Sequence, residues 1–161
     1  MPTAALVTPL VAPVMSFRAI GPLLVLSVTA LLLLVIDLLP PRDRKDHLGV
    51  VGLVGVVASL VVSLLFWGAD ERSFRGMVVL DGFAIFFNLV IGFSVGLVLL
   101  LSLDYVRRQG AESGEFYILV LLTAIGMTLM ASAGELIMVF LGLETMSLAL
   151  YVLAGTFKTR I

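Results

Sequence analysis

Glu144 is an acidic residue in the middle of a long apolar stretch. Between Leu136 and Ala154 it is the only acidic or basic side chain. It follows Glu135 by nine residues, which is roughly 13 Å in a helix and close to the centre of a hydrocarbon layer about 30 Å thick. A charge at that depth costs about 3 kcal/mol, which the Leu, Ile, Phe and Val residues of the stretch offset at roughly 0.5 kcal/mol each. The stretch can therefore cross a membrane and keep its acid.

A carboxyl at this depth predicts proton transfer. It is too far from either interface to reach water, so we expect it to face a bundle interior or a hydrated cavity. Helical spacing places Phe140, Ser147 and Tyr151 on the same face. Burial disfavours the charged carboxylate, and a lysine supplied by another helix would favour it again. Glu144 is therefore the candidate catalytic residue. The alternative is a neutral glutamic acid that only donates a hydrogen bond to a neighbouring helix.

The composition identifies an integral membrane protein. Of 161 residues, 61% are hydrophobic and 13% are charged, which is outside the range of soluble domains. The net charge of −1 argues against a nucleic-acid partner, because phosphate binding needs a basic surface. With no cysteine and one histidine, the sequence has no ligands for an iron–sulfur cluster, a zinc–thiolate site or a bis-histidine haem. We expect no cofactor and no metal in this chain.

Five apolar segments are long enough to span a bilayer, and the lipid bilayer is accordingly the first expected partner. Backbone polar groups in lipid must be satisfied within the segment, so all five are predicted to be helices. The predicted fold is an all-α membrane protein, a single domain over residues 1–161 that forms a bundle of five transmembrane helices. The predicted spans are 19–39, 48–67, 77–103, 116–133 and 136–154.

Basic residues predict the orientation. Seven of the ten fall in connections on one side and three on the other: Arg42, Arg44, Lys45, Arg107, Arg108, Lys158 and Arg160, against Arg18, Arg72 and Arg75. The positive-inside rule then places the N-terminus outside and the C-terminus in the cytoplasm. We expect a multi-pass protein of the inner (plasma) membrane of a bacterium.

Small and polar residues within the spans favour a packed bundle. Gly92 and Gly96 form a small-xxx-small pair, which is more often internal packing than a dimer contact. Asn88, Thr123 and Thr128 are expected to form hydrogen bonds between helices rather than to bind a substrate. Asp37 and Asp81 lie near span ends, where ionisation is inexpensive and a structural role is favoured.

Four stretches of the second half carry a resemblance to a known family. They read LDGFAIFF from Leu80, LLLSLDYVRR from Leu99, GEFY from Gly114 and FLGLETMSLALYVLAG from Phe140. This half resembles the N-terminal part of subunit N of the proton-translocating NADH-quinone oxidoreductase, respiratory complex I. That subunit is one of the antiporter-like membrane subunits. Leu143 before the glutamate, where L-type and M-type relatives have tryptophan, favours the N type.

The resemblance implies roles for this chain and for its partners. Glu144 matches the fifth-helix glutamate that, in the family, pairs with a seventh-helix lysine and takes part in proton transfer. The implied partners are the other membrane subunits of the complex, and flavin, iron–sulfur clusters and quinone are implied in partner subunits. This sequence ends after five spans, whereas family members have further helices that carry the lysines. It is therefore expected to be a fragment or a truncated form of a longer subunit.

Two other functions stay open from the sequence. The chain could be a non-catalytic structural or assembly protein in which Glu144 only joins helices. It could also be a subunit of a cation/proton antiporter unconnected to electron transfer. The first alternative predicts that the acid can be neutralised without loss, and the second predicts no association with redox proteins.

Overall fold

Five long helices form the protein. The computed structural model describes residues 16–39, 46–109 and 113–156. The helices are α1 (Gly21–Leu38), α2 (Asp46–Leu65), α3 (Gly82–Gln109), α4 (Ser113–Ala131) and α5 (Leu136–Thr156). Each is long and apolar enough to cross a membrane, which confirms the prediction of five spanning helices.

Helices α1 to α4 enclose the hydrophobic core. Its fully buried side chains include Leu33 of α1, Val56 of α2, Leu99 of α3 and Leu121 of α4. None of the buried residues of this cluster belongs to α5. Of the described helices only α4 forms an extensive contact with α5. The fold is therefore a four-helix core with a fifth helix attached to one side.

Glycines let α2 approach its three neighbours. A Cβ on Gly55 would overlap the Thr29 side chain of α1, and one on Gly52 would lie 3.5 Å from Leu33 and 3.7 Å from Leu99. Gly49 has Leu103 of α3 and Tyr117 of α4 against it. This close approach is typical of membrane helices, where packing replaces the hydrophobic driving force. The glycines of α2 thus serve internal packing.

Gly92 serves the same purpose in α3. A Cβ there would lie 2.6 Å from Cδ2 of Leu60 in α2. The pair Gly92 and Gly96 therefore faces α2, which agrees with the prediction of internal packing.

A small β-hairpin joins α2 to α3 and was not predicted. Strand β1 (Glu71–Ser73) pairs antiparallel with β2 (Val78–Leu80). The third helix consequently begins at Gly82, five residues after the predicted start of its span. Asp81 ends the extended segment, because its Oδ1 accepts a hydrogen bond of 2.8 Å from the Ala84 amide and caps α3.

The hairpin is tied to the turn between α4 and α5. The Val79 amide donates to the Ser132 carbonyl at 2.8 Å, and the Gly134 amide donates to the Met77 carbonyl at 2.8 Å. Val78 forms an antiparallel bridge with Ala133. We call the end of the bundle that carries this hairpin the hairpin end.

The segment before α1 is attached to the same hairpin. The Ser16 amide donates to the Ser73 hydroxyl at 3.2 Å, and the Ser16 hydroxyl donates to the Glu71 carboxylate at 2.9 Å. Ala19 packs in a small cluster with Leu80 and Ile85. Three connections of the chain thus meet at the hairpin end.

At the opposite end, Asp37 of α1 lies against the first turn of α4. Its carboxylate occupies the space that a Cβ on Gly114 would need. The first turn of a helix carries unpaired amides and a partial positive charge, which favours an acidic side chain. Asp37 therefore joins α1 to α4, which is the structural role expected from its place at a span end.

The predicted hydrogen bonds between helices are absent at two positions. The Thr123 hydroxyl donates to the Leu119 carbonyl of its own helix at 2.9 Å. Asn88 is 6% exposed, and neither its Oδ1 nor its Nδ2 reaches a partner among the described residues. The prediction was wrong for Thr123 because a threonine hydroxyl in a helix can reach the carbonyl one turn back.

Candidate functional site

Helix α5 starts directly from the turn that pairs with the hairpin. Both the Met138 and the Val139 amides donate to the Glu135 carbonyl, at 3.0 and 3.3 Å. From Leu136 onward, all faces of the segment are apolar except at Glu144 and at a few hydroxyl side chains. It therefore forms a helix that can face lipid. The hairpin end thereby fixes the position at which α5 begins.

The contact between α4 and α5 is a crossing of two glycines. A Cβ on Gly126 would lie 2.6 Å from the Gly142 carbonyl oxygen and 2.6 Å from the Met146 amide nitrogen. A Cβ on Gly142 would lie 2.6 Å from Cγ of Met130 and 2.8 Å from the Gly126 carbonyl oxygen. The two backbones are therefore in direct contact. We refer to this contact as the glycine crossing.

Glu144 lies on the opposite side of α5 from the glycine crossing. Each residue turns a helix by about 100°, so Glu144 is rotated about 200° from Gly142. Its neighbours along that face are Phe140 and Tyr151, which are 57% and 72% exposed. The carboxyl thus points away from α4 and from the four-helix core.

This placement differs from the expectation of a bundle interior. Glu144 is half-buried, and its carboxylate makes no hydrogen bond or ion pair with any described residue. The depth along the helix agrees with the expectation, since the residue is eight positions after Leu136 and roughly 12 Å from the helix start. The side that it faces is not covered by the described helices.

The two hydroxyl groups predicted on the same face do not bind the carboxylate. The Ser147 hydroxyl donates to the backbone carbonyl of Glu144 at 3.3 Å. The Tyr151 hydroxyl makes no hydrogen bond to a described residue. The predicted face therefore exists, but neither hydroxyl on it binds the carboxylate.

An apolar groove adjoins the acid toward the hairpin end. Its lining residues come from the first two turns of α5: Leu136, Ile137, Val139, Phe140 and Leu143. No cluster of three or more acidic, histidine or cysteine side chains that could hold a metal occurs within residues 16–39, 46–109 and 113–156. The chemistry available at this face is that of one carboxyl in an apolar setting.

The glycine crossing was not predicted from the sequence. Gly126 and Gly142 occur once each in two separate apolar segments, so neither forms a small-xxx-small pair within its own helix. The signal that could have identified them is the tight turn between α4 and α5, which makes these helices antiparallel neighbours. Glycines near the middle of each are then expected to meet.

Comparison with known proteins identifies relatives over most of the chain. NADH-quinone oxidoreductase subunit N of Trichlorobacter lovleyi is 41% identical over 140 residues, which is 87% of this chain and 29% of that protein. Subunit N 2 of Roseiflexus castenholzii is 38% identical over 148 residues, 92% of this chain and 30% of that protein. Subunit N of Dehalococcoides mccartyi is 41% identical over 138 residues. No protein-family model matches the sequence.

These similarities confirm the resemblance drawn from the sequence and extend it to the first two helices. The chain spans less than a third of the length of the curated relatives that it matches. The similarity therefore concerns one part of a much longer membrane protein.

Proposed function

We propose that this chain, which is similar in sequence to part of NADH-quinone oxidoreductase subunit N, serves in the membrane part of such an enzyme and transfers protons through Glu144. The chain contains no cysteine and one histidine, so electrons do not pass through it by iron–sulfur or bis-histidine haem centres. The energy of electron transfer would reach it as a conformational or electrostatic change from partner subunits.

The observation that carries this proposal is the uncovered carboxyl at mid-depth of α5. An acid facing lipid at this depth is costly, and intramembrane acids nearly always face protein or water. The described helices do not cover it. The match takes up only 29% of the Trichlorobacter lovleyi protein, so more than twice as much sequence lies outside the match in that relative. A further helix is therefore the natural cover for this face.

A basic residue on that covering helix would complete the site. Opposite charges within about 4–6 Å stabilise each other, and withdrawal of the cation would make the carboxylate bind a proton. A carboxyl whose partner moves can thus take up a proton from one side and release it to the other. Coupling this movement to a redox reaction elsewhere would drive translocation.

A photo-crosslinking benzoyl-phenylalanine at Phe140 tests whether this face is covered. Phe140 shares the face of Glu144 and is 57% exposed in the described helices. In native membranes we expect the probe to capture a peptide segment that contains a lysine or arginine within about one helical turn of the crosslink. Mass spectrometry of the digested adduct identifies the captured segment.

The matched control is the same probe at Phe93. This residue is 65% exposed on α3, where no acid lies beside it, and it reports the background of lipid and protein capture. Recovery of lipid adducts alone from Phe140 would show that the face is open to the bilayer, and the proposed site would then be wrong.

We further propose that the hairpin end faces the outer side of the cell membrane. The connections that carry Arg18, Arg72 and Arg75 meet at this end. Arg107 and Arg108 lie in the last turns of α3, at the opposite end. In the sequence, Arg42, Arg44 and Lys45 fall between α1 and α2, and Lys158 and Arg160 follow α5. A membrane-impermeant maleimide should label Arg72→Cys in intact cells and leave Glu115→Cys unlabelled until the membrane is opened. Both positions are exposed in the structure. The reverse pattern would invert the orientation.

A further inference from the structure

The attachment of α5 to the bundle depends on the glycine crossing. Only α4 forms an extensive contact with α5 among the described helices, and the two backbones touch at Gly126 and Gly142. Because backbone atoms form much of this contact, side-chain rotation cannot relieve an added group at Gly126. The distance between the two helices is thus set at this point.

The glycine crossing and the Glu144 carboxyl lie on nearly opposite sides of α5 and at nearly the same height along its axis. Glu144 is rotated about 200° from Gly142 and only two residues, or about 3 Å, along the helix axis. Any movement of α5 away from α4 carries Glu144 in the direction in which its side chain leaves the helix. The separation of α4 and α5 therefore determines how far the carboxyl reaches from the bundle.

We propose that Gly126 is a positioning residue for proton transfer by Glu144. This inference rests on the proposed function. Proton transfer requires donor and acceptor within about 2.6–3.2 Å, and a misplacement of about 1 Å can cost a hundredfold in rate. The glycine crossing sets how far Glu144 projects from α4 toward its proposed partner, and therefore whether the two groups meet at that distance.

The size of the displacement follows from the contact distances. A Cβ on Gly126 would lie 2.6 Å from two backbone atoms of α5, whereas ordinary contact begins at 3.4 Å. Alanine at this position would therefore move α5 outward by about 0.8 Å. A Cβ on Gly142 would lie 2.6 Å from Cγ of Met130, which can move, and 2.8 Å from the Gly126 carbonyl oxygen, which cannot, so alanine there should displace α5 by a somewhat smaller distance.

Few titratable groups other than Glu144 lie near Gly126 and could account for a change in the pH dependence of proton transfer. The titratable groups of α4 with described side chains are Glu115 and Tyr117, which lie nine or more residues from Gly126, at least roughly 13 Å along the helix. Strand β2, which pairs with the α4–α5 turn, has none. On α5 the other titratable group is Tyr151, and Glu135 precedes the helix.

The experiment introduces Gly126→Ala into the full-length protein in its native membranes. NADH-driven proton uptake by inverted vesicles should fall by about tenfold, and the midpoint of its pH profile should move. Gly142→Ala should give a smaller change of the same kind. The double variant Gly126→Ala with Glu144→Gln should lose no more than Glu144→Gln alone, because both act on one group.

Gly92→Ala is the matched control. Its Cβ would also lie 2.6 Å from a neighbour, but that neighbour is a Leu60 methyl in the α2–α3 contact, far from α5. We expect an unchanged pH midpoint. A normal rate and pH profile in an assembled Gly126→Ala protein would overturn the proposal. So would failure of both Gly126→Ala and Gly142→Ala to assemble, since the crossing would then serve stability.

The result also separates this inference from the proposed function. If Glu144→Gln stops translocation and Gly126→Ala does not alter it, only the positioning role is wrong. If Glu144→Gln translocates normally, the proposed function itself is wrong.

Discussion

Glu144→Gln is expected to reduce proton translocation by about tenfold or more while the protein still assembles. Glutamine keeps the volume of the side chain and its hydrogen-bonding capacity, but it cannot gain or lose a proton. The amide oxygen of glutamine can still accept a hydrogen bond from the proposed basic partner, so the protein is expected to assemble. The measurement is NADH-driven proton uptake by inverted membrane vesicles, with the amount of assembled protein determined in the same sample.

Glu144→Asp is the companion variant. It keeps the titrating group and withdraws it by one methylene, so it should retain more activity than the glutamine form if proton exchange is the function. An assembled glutamine variant that translocates normally would show that the acid only joins helices, which is the structural alternative left open by the sequence.

Gly134→Ala is expected to lower the amount of folded protein several-fold. The space for a Cβ at Gly134 is taken by the carbonyl oxygen of Gly76, and the Gly134 amide donates to Met77 at 2.8 Å. A methyl group there must separate the α4–α5 turn from the hairpin, at a cost of about 1–3 kcal/mol. Losses of this size change cellular abundance several-fold.

Immunoblotting of membranes at a series of temperatures measures this loss. Gly82→Ala is the control, because no atom lies within 4 Å of its added Cβ at the start of α3. Equal abundance of the two variants would mean that the contact between hairpin and turn contributes nothing to stability.

The helices were predictable because lipid leaves the backbone few choices. Apolar runs near the required length must form helices whatever their detailed sequence, and Pro40 and Pro41 mark the end of the first run. The start of α3 was misplaced because Val78, Val79 and Leu80 are as apolar as the helix that follows. Their pairing partners lie elsewhere in the chain, and hydropathy does not reveal pairing.

The acid of the candidate site was predictable, and its surroundings were not. A lone carboxyl at mid-depth is visible from spacing alone. The side of α5 that faces the bundle depends on where two backbones can touch, which Gly126 and Gly142 decide. The position of Glu144 along α5 therefore follows from the sequence, while the side of the bundle that it faces depends on the packing of α4 on α5.

The hairpin also constrains the order in which the protein can be completed during synthesis. Val79 is made 53 residues before Ser132, the residue whose carbonyl its amide binds. Until α4 has emerged and turned back, the edge of the hairpin must remain unpaired on the surface of the membrane. The hairpin can therefore complete its hydrogen bonds only after α4 and the turn that precedes α5 have been made.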